Sequence, residues 1–203
     1  AKLRARGLAR AMANTKQVKA ANLFNNGFAT VIGDGQPFFS AAHPTIAAGG
    51  QSNLAAAADL SEATLETILT NIQKISDDRG ILIGASAESL HIPVDSWAIA
   101  DRIMSSPGNT QTSELQANPN TNAINAIRHL GMLPNGYFIN RRFTDTDSYF
   151  VKTDVPNGAK MFNRTPLQTK MEPDFDTGNL RFKARERYSF GVSDWRGYFG
   201  SAG

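Results

Sequence analysis

From Leu180 to Val192 a mainly apolar set of positions alternates with a polar, largely cationic one. Even numbers carry Leu180, Phe182, Ala184, Glu186, Tyr188, Phe190 and Val192, and odd numbers carry Arg181, Lys183, Arg185, Arg187, Ser189 and Gly191. A period of two predicts a long β-strand with one apolar and one cationic face. Leu167 to Phe175 alternates too, with Leu167, Thr169, Met171 and Phe175 against Lys170, Glu172 and Asp174. The turn residues Asp176-Thr177-Gly178-Asn179 join the two into a hairpin. Centred on Thr177-Gly178, the register predicts Phe175 facing Leu180, Met171 facing Ala184, Asp174 facing Arg181 and Glu172 facing Lys183. Lys170 then falls opposite Arg185 and Gln168 opposite Arg187, which leaves that end of the cationic face without an acid. Pro173 cannot donate to a ladder, so its strand is expected at an edge or interrupted.

At the other end of the chain the period is that of a helix. Lys2 to Asn25 has no proline, an apolar stripe of Leu8, Met12, Thr15 and Val18, and a basic ridge of Lys2, Arg6 and Arg10. It predicts one helix about 36 Å long, stopped by Asn25-Asn26-Gly27. Two short strands are expected around Gly33-Asp34-Gly35, and Ile46 to Asp59 reads as a linker or surface loop. Leu65, Ile68, Leu69, Ile72 and Ile75 mark a helix capped by Ser61 and followed by Gly80. Ile81-Leu82-Ile83 and Leu90 to Val94 read as buried strands, and Ser96 to Met104 as a helix capped by Asp95. A polar loop is expected over Ser105 to Asn120, a short helix opening at Thr121 or Asn122 and ending at Gly131, and strands at Tyr137-Phe138-Ile139 and Tyr149-Phe150-Val151. The fold class is α+β.

Charge sharpens this division. Ala1 to Ala20 carries six basic residues and no acid, Ala21 to Ala159 carries seven basic against thirteen acidic, and Lys160 to Gly203 carries eight basic against five acidic. Basic ends around an acidic middle predict that the ends share one body and the middle forms another. The chain has no Cys, which excludes disulfides and thiolate metal sites, and no apolar run of the roughly 18 residues that would span a bilayer. No membrane partner is expected.

Catalytic chemistry finds little support. His43, His91 and His129 lack metal-ligand spacing, and no phosphate-cradling glycine loop or dinucleotide fingerprint occurs. Gly84-Ala85-Ser86-Ala87-Glu88 has the start of a nucleophile elbow without its second glycine, so a serine hydrolase centred on Ser86 is a remote alternative. No cofactor, no metal and no enzymatic activity are expected.

Three blocks carry a family resemblance. One runs from the first helix through Leu23-Phe24-Asn25-Asn26-Gly27-Phe28 to Gly33-Asp34-Gly35-Gln36-Pro37-Phe38-Phe39-Ser40 and His43-Pro44. Another is the segment from Ser89 to Ser106, and the third is the tail from Phe182 to Gly200. In this order they resemble the major capsid protein of tailed bacteriophages, of the Mu-like major head subunit type. The resemblance implies a peripheral domain with a long spine helix and long β-sheet, and an inserted α/β axial domain. The expected division is 1–45 peripheral, 46–145 axial and 146–203 peripheral, the last residues returning to the axial domain. It implies a structural subunit of pentamers and hexamers, building an icosahedral or prolate shell around double-stranded DNA in a virion assembled in the host cytoplasm. Portal, scaffold or decoration proteins would be its partners. A protein-packaging nanocompartment shell of the encapsulin kind is the alternative within the same fold. Lys170, Arg185, Arg187 and Glu186 are the candidates for a subunit contact or a genome-facing surface, with Lys2, Arg6 and Arg10 as a basic helix face.

Overall fold

The computed structural model describes residues 2–47, 49–108, 124–173, 175–176 and 178–203. The expected polar loop beyond Gly108, the helix start at Thr121 or Asn122, and Asp174 lie outside the described residues.

Helix α1 (Lys2–Asn25) has the expected 24 residues. Ala5, Leu8, Met12, Lys16 and Ala20 are its half-buried positions, whereas Thr15 and Val18, expected on the apolar stripe, are exposed. The covered stripe follows steps of three and four residues and so takes in Lys16 rather than Thr15. At its C-terminal end Phe24 packs into an aromatic cluster, with ring centroids 5.0 Å from Tyr198, 5.2 Å from Phe150 and 6.0 Å from Phe38. The two strands expected around Gly33-Asp34-Gly35 reduce to a single bridge between Val31 and Pro37.

The chain then builds a four-stranded sheet. Its strands are β1 (Ala87–Ile92), β2 (Tyr137–Ile139), β3 (Tyr149–Thr153) and β6 (Tyr198–Ser201), in the spatial order β2-β1-β3-β6. β1 and β2 run parallel and the other pairs antiparallel. Helices α2 (Glu62–Gln73), α3 (Trp97–Ser105) and α4 (Ala126–His129) contribute side chains to its core. Leu65, Ile68 and Ile72 from α2 meet Leu90, Ile92, Ile103, Ile127, Tyr149 and Val151 in one buried core. Ser61 caps α2 through a reciprocal capping box with Thr64, as the sequence predicts for the cap.

Three expectations about this part are corrected. α2 stops at Gln73, well before Gly80. Ile81, Leu82 and Ile83 are 63%, 66% and 42% exposed, not a buried strand. There Asp77 Oδ1 accepts the backbone N–H groups of Arg79 and Ile81, and Gly80 takes φ +87°, so a tight turn replaces the strand. The segment 46–59 is no free linker either, because Asn53 is fully buried, Gln51 bridges His43 and Leu54 bridges Gly200.

The last element is a two-stranded ribbon of β4 (Ala159–Pro173) and β5 (Leu180–Val192). Its exit from the body is fixed where Gly158 crosses Gly197, since a Cβ on Gly197 would lie 2.5 Å from the Gly158 Cα. The alternation along β5 holds throughout its middle: Arg181, Lys183, Arg185, Arg187 and Ser189 are exposed, and Phe182, Ala184, Glu186, Tyr188 and Phe190 are half-buried. The pairing does not follow the expected register. Pro173 faces Leu180, Met171 faces Phe182, Glu172 faces Arg181, Lys170 faces Lys183, Gln168 faces Arg185 and Thr165 faces Arg187. The ladder ends at Pro173, so the connection starts two residues earlier than a tight turn at Thr177-Gly178 would place it. A slip of two preserves both faces while changing every cross-strand partner. Two further irregularities, between Asn163 and Thr165 and between Thr165 and Gln168, put the break in β4 beside Pro166 rather than at Pro173.

Candidate assembly surface

α1 lies along the even-numbered face of β5. Glu186, the single charge of that face, has its carboxylate 2.8 Å from the Lys16 ammonium, with the Glu186 side chain only 6% exposed. Lys16 also stands 5.0 Å from the centre of the Tyr188 ring. A carboxylate in such a place requires a cation, because an unpaired buried charge costs several kcal/mol. The helix therefore sits on the ribbon through one ion pair flanked by apolar contacts.

Among the described residues no helix covers the odd-numbered face of β5. In an antiparallel ladder facing residues share a side, so Arg181, Lys183, Arg185 and Arg187 lie with Glu172, Lys170, Gln168 and Thr165. Lys170 pairs with Glu172 along its own strand. The register thus brings Lys170, Lys183, Arg185 and Arg187 onto one exposed surface, while Glu186 faces the opposite way, under α1. Phe162, opposite Ser189, shares the cationic side and is 54% exposed, whereas Met161 and Met171, opposite Phe190 and Phe182, lie on the side of α1 and are still 49% and 58% exposed; Leu167 is 46% exposed and Phe175 at the tip is fully exposed.

Of the basic helix face, Arg6 and Arg10 are exposed and Lys2 is the first residue of α1. Arg10 lies half-way in sequence between Leu8 and Met12, which at 100° per residue turns it directly away from the ribbon. Two basic surfaces therefore occupy opposite sides of the layer formed by α1 and the ribbon.

A buried polar hub, not foreseen from the sequence, ties this layer to the rest. The Asn53 amide donates to the carbonyls of Phe38 (2.8 Å), Trp195 (3.2 Å) and Tyr198 (3.0 Å), and its oxygen accepts from the Ser40 N–H at 3.0 Å. The same oxygen lies 3.0 Å from His43 Nε2, and His43 Nδ1 lies 2.5 Å from Asp34. The imidazole stacks on Trp195 with centroids 4.3 Å apart and planes within 3°. The Arg196 guanidinium stands 4.5 Å from the centre of the Trp195 ring and bonds Asp78 at 2.7 Å. Gly33-Asp34-Gly35 and His43-Pro44 are visible in the sequence as turn signals, but their common partner is not.

The remaining candidates are set apart from these surfaces. His91, in β1, stacks on Phe138, and burial together with the Lys152 charge lowers its pKa to about 4. Burial and the neighbouring Glu88 carboxylate push the Tyr198 hydroxyl up. Ser86 lines a cleft with Leu69, Gln73, Leu130, Met132 and Pro134, residues that supply no general base. Among the described residues no group of His, Asp or Glu is arranged to hold a metal, and no helix is long and apolar enough to cross a membrane.

The model of a family of phage capsid proteins matches residues 3–199, which takes in α1, the sheet and the ribbon. This chain belongs to that phage capsid protein family. The membership points to a structural rather than a catalytic role and to a place in a virion. Among solved structures, a virus-like particle from Pyrococcus furiosus matches with a TM-score of 0.44 and 9% identity, covering 73% of this chain and 56% of that one. The chain thus spans little more than half of that particle subunit. No curated protein sequence matches it.

Proposed function

We propose that this capsid-family chain is a shell subunit that assembles with copies of itself into pentamers and hexamers of an icosahedral or prolate head enclosing double-stranded DNA. The observation that carries the proposal is the ribbon. β4 is a fifteen-residue edge strand with four half-exposed large apolar side chains, and a two-stranded ribbon is marginal in water without further cover. Such a surface is suited to a neighbouring copy. In this reading α1 and the ribbon form the peripheral unit, α1 being its spine. Residues 149–153 and 198–201 go with the axial unit of 46–145, because they hydrogen-bond into the sheet of β1. Lys170, Arg185 and Arg187 face a neighbouring subunit or the packaged genome, and portal, scaffold or decoration proteins complete the head in the host cytoplasm.

Electron microscopy of the full-length protein expressed with its genomic neighbours tests the shell. Closed shells containing DNA are expected, and particles filled with protein cargo in place of DNA would overturn the genome part. Replacing Arg185 and Arg187 with Glu is expected to impair assembly or DNA retention while circular dichroism shows a folded subunit. Normal particles with normal DNA content refute the assignment of those two residues.

A further inference from the structure

The two basic surfaces face opposite ways, so a shell one subunit thick can turn only one of them inward. They differ in two respects. The ribbon face carries its own acid: Glu172 pairs with Lys170 and stands across the ladder from Arg181. The α1 face has no acid in residues 1–20 and is concave. Between the helix and the loop that follows β2 lies an open cleft of about 570 Å³, lined by Arg10, Asn14, Gln17 and Arg142 with the small residues Gly7, Ala11 and Ala13.

Its chemistry is that of an oxyanion receptor. Two guanidiniums supply forked donors and two amides supply more, with no carboxylate in the lining. Arg6, Arg10, Asn14 and Gln17 fall at steps of four, four and three, one face of the helix. Arg142 is held in place before any ligand arrives. Its guanidinium donates to Asn14 Oδ1, its N–H donates to Asn140 Oδ1 at 3.0 Å, and its carbonyl accepts from the Asn25 amide at 3.0 Å. Pre-ordering a long side chain removes part of the entropy lost on binding. A Cβ on Gly7 would meet nothing within 4 Å, so a phosphate has room to approach the helix there.

We infer that the α1 face takes the phosphate backbone of double-stranded nucleic acid, with the Arg10–Arg142 cleft as its anchor, and that the cationic ribbon face serves contacts between subunits. The inference rests on the shell reading and names which surface of the subunit meets the genome.

The test is the salt dependence of binding of the full chain to a short random-sequence DNA duplex. Each of R10Q and R142Q is expected to reduce the magnitude of the slope of log Kobs against log salt by about 0.9 and to weaken binding about eight-fold at 0.1 M salt. R10K should keep the wild-type slope, and R185Q with R187Q should leave it unchanged. Arg142 also holds Asn14, so R10Q, on an exposed helix face, is the variant that separates lost phosphate contact from lost structure. An unchanged slope in R10Q, or a wild-type chain that binds no duplex, overturns the inference, as does a slope that falls only in the ribbon variants. Electron microscopy in parallel separates the two levels. Shells with an indifferent slope sink the cleft alone, whereas the expected slopes without shells sink the shell reading and leave the cleft standing.

Discussion

Removing either member of the Lys16–Glu186 pair should have unequal consequences, and the inequality follows from burial. Glu186 is 6% exposed and Lys16 32% exposed, at a separation of 2.8 Å. Lys16→Met leaves a carboxylate against Ala184 and Tyr188 with neither water nor cation, a situation that costs about 3 kcal/mol. The loss of the ammonium from the Tyr188 ring adds about 0.5 kcal/mol. Glu186→Leu instead leaves a lysine on a four-carbon stem that can carry its charge to water, so the cost is about 1 kcal/mol or less. With both changes the interface becomes apolar throughout, and the double variant should sit within about 1 kcal/mol of the parent. The coupling energy from the cycle is then about 3–4 kcal/mol.

Urea unfolding of the unassembled subunit measures this directly, provided the slope of the transition is the same in all four proteins. Hydrogen exchange of the β5 amides supplies a local readout, because α1 covers that strand. Equal losses below about 0.5 kcal/mol in both single variants would mean that solvent screens the pair and that it does not hold the helix on the ribbon.

Asn53→Ala removes the partner of three buried carbonyls, a backbone N–H and an imidazole nitrogen, and is expected to cost about 3–5 kcal/mol in urea unfolding; a loss under about 1 kcal/mol would show the hub to be dispensable. His91 is neutral when folded until about pH 4 but takes a proton near 6.5 when unfolded, so its contribution to stability is complete above pH 6.5 and drains as the pH falls toward 4. The loss amounts to about 3 kcal/mol, and His91→Phe should flatten that part of the stability–pH curve; an identical acid limb in the variant refutes it. Gly197→Ala should prevent the ribbon from seating, since its Cβ would overlap the Gly158 backbone, whereas Gly7→Ala, with open space around it in α1, should raise thermal stability by about 0.5–1 kcal/mol. Equal melting temperatures for these two glycine variants would contradict the crossing.

The long elements were legible for different reasons. The absence of proline and the Asn25-Asn26-Gly27 stop gave α1 its bounds, although Thr15 and Val18 of its expected stripe are exposed, and a period of two gave β5 its two faces, because the side chains of one face meet a common environment. The register of the ribbon was not legible, since it depends on where β4 leaves the ladder, and Pro173 ends it two residues before the turn signal begins. The apolar triplet Ile81-Leu82-Ile83 misled for a related reason: hydrophobicity reports the need for cover without saying whether the same chain supplies it. The hub lay beyond reach because Asn53 bonds Trp195 across 142 residues, and no local pattern encodes that distance. Of the candidate residues, the sequence placed Arg185 and Arg187 on a common exposed face, but the cleft of Arg10 and Arg142 exists only once the loop after β2 folds back on α1.

These points bear on what kind of subunit this is. Met161 and Phe162 are consecutive in β4 and so project to opposite sides of the ribbon, yet both are about half exposed. α1 covers β5 on one side, and neither side of the ribbon has enough apolar cover to close over β4. The central sheet buries Leu90, Ile92, Tyr149 and Val151 completely, although Phe138 and Ile139 of its edge strand β2 are 52% and 44% exposed. The fold thus joins a body with a buried core to a ribbon whose own contacts are marginal. A monomeric protein would gain nothing from that division, and its long edge strand would be a hazard for aggregation. In the proposed shell a neighbour would cover the same strand, so the part of the molecule least able to stabilise itself would be the part whose order depends on assembly.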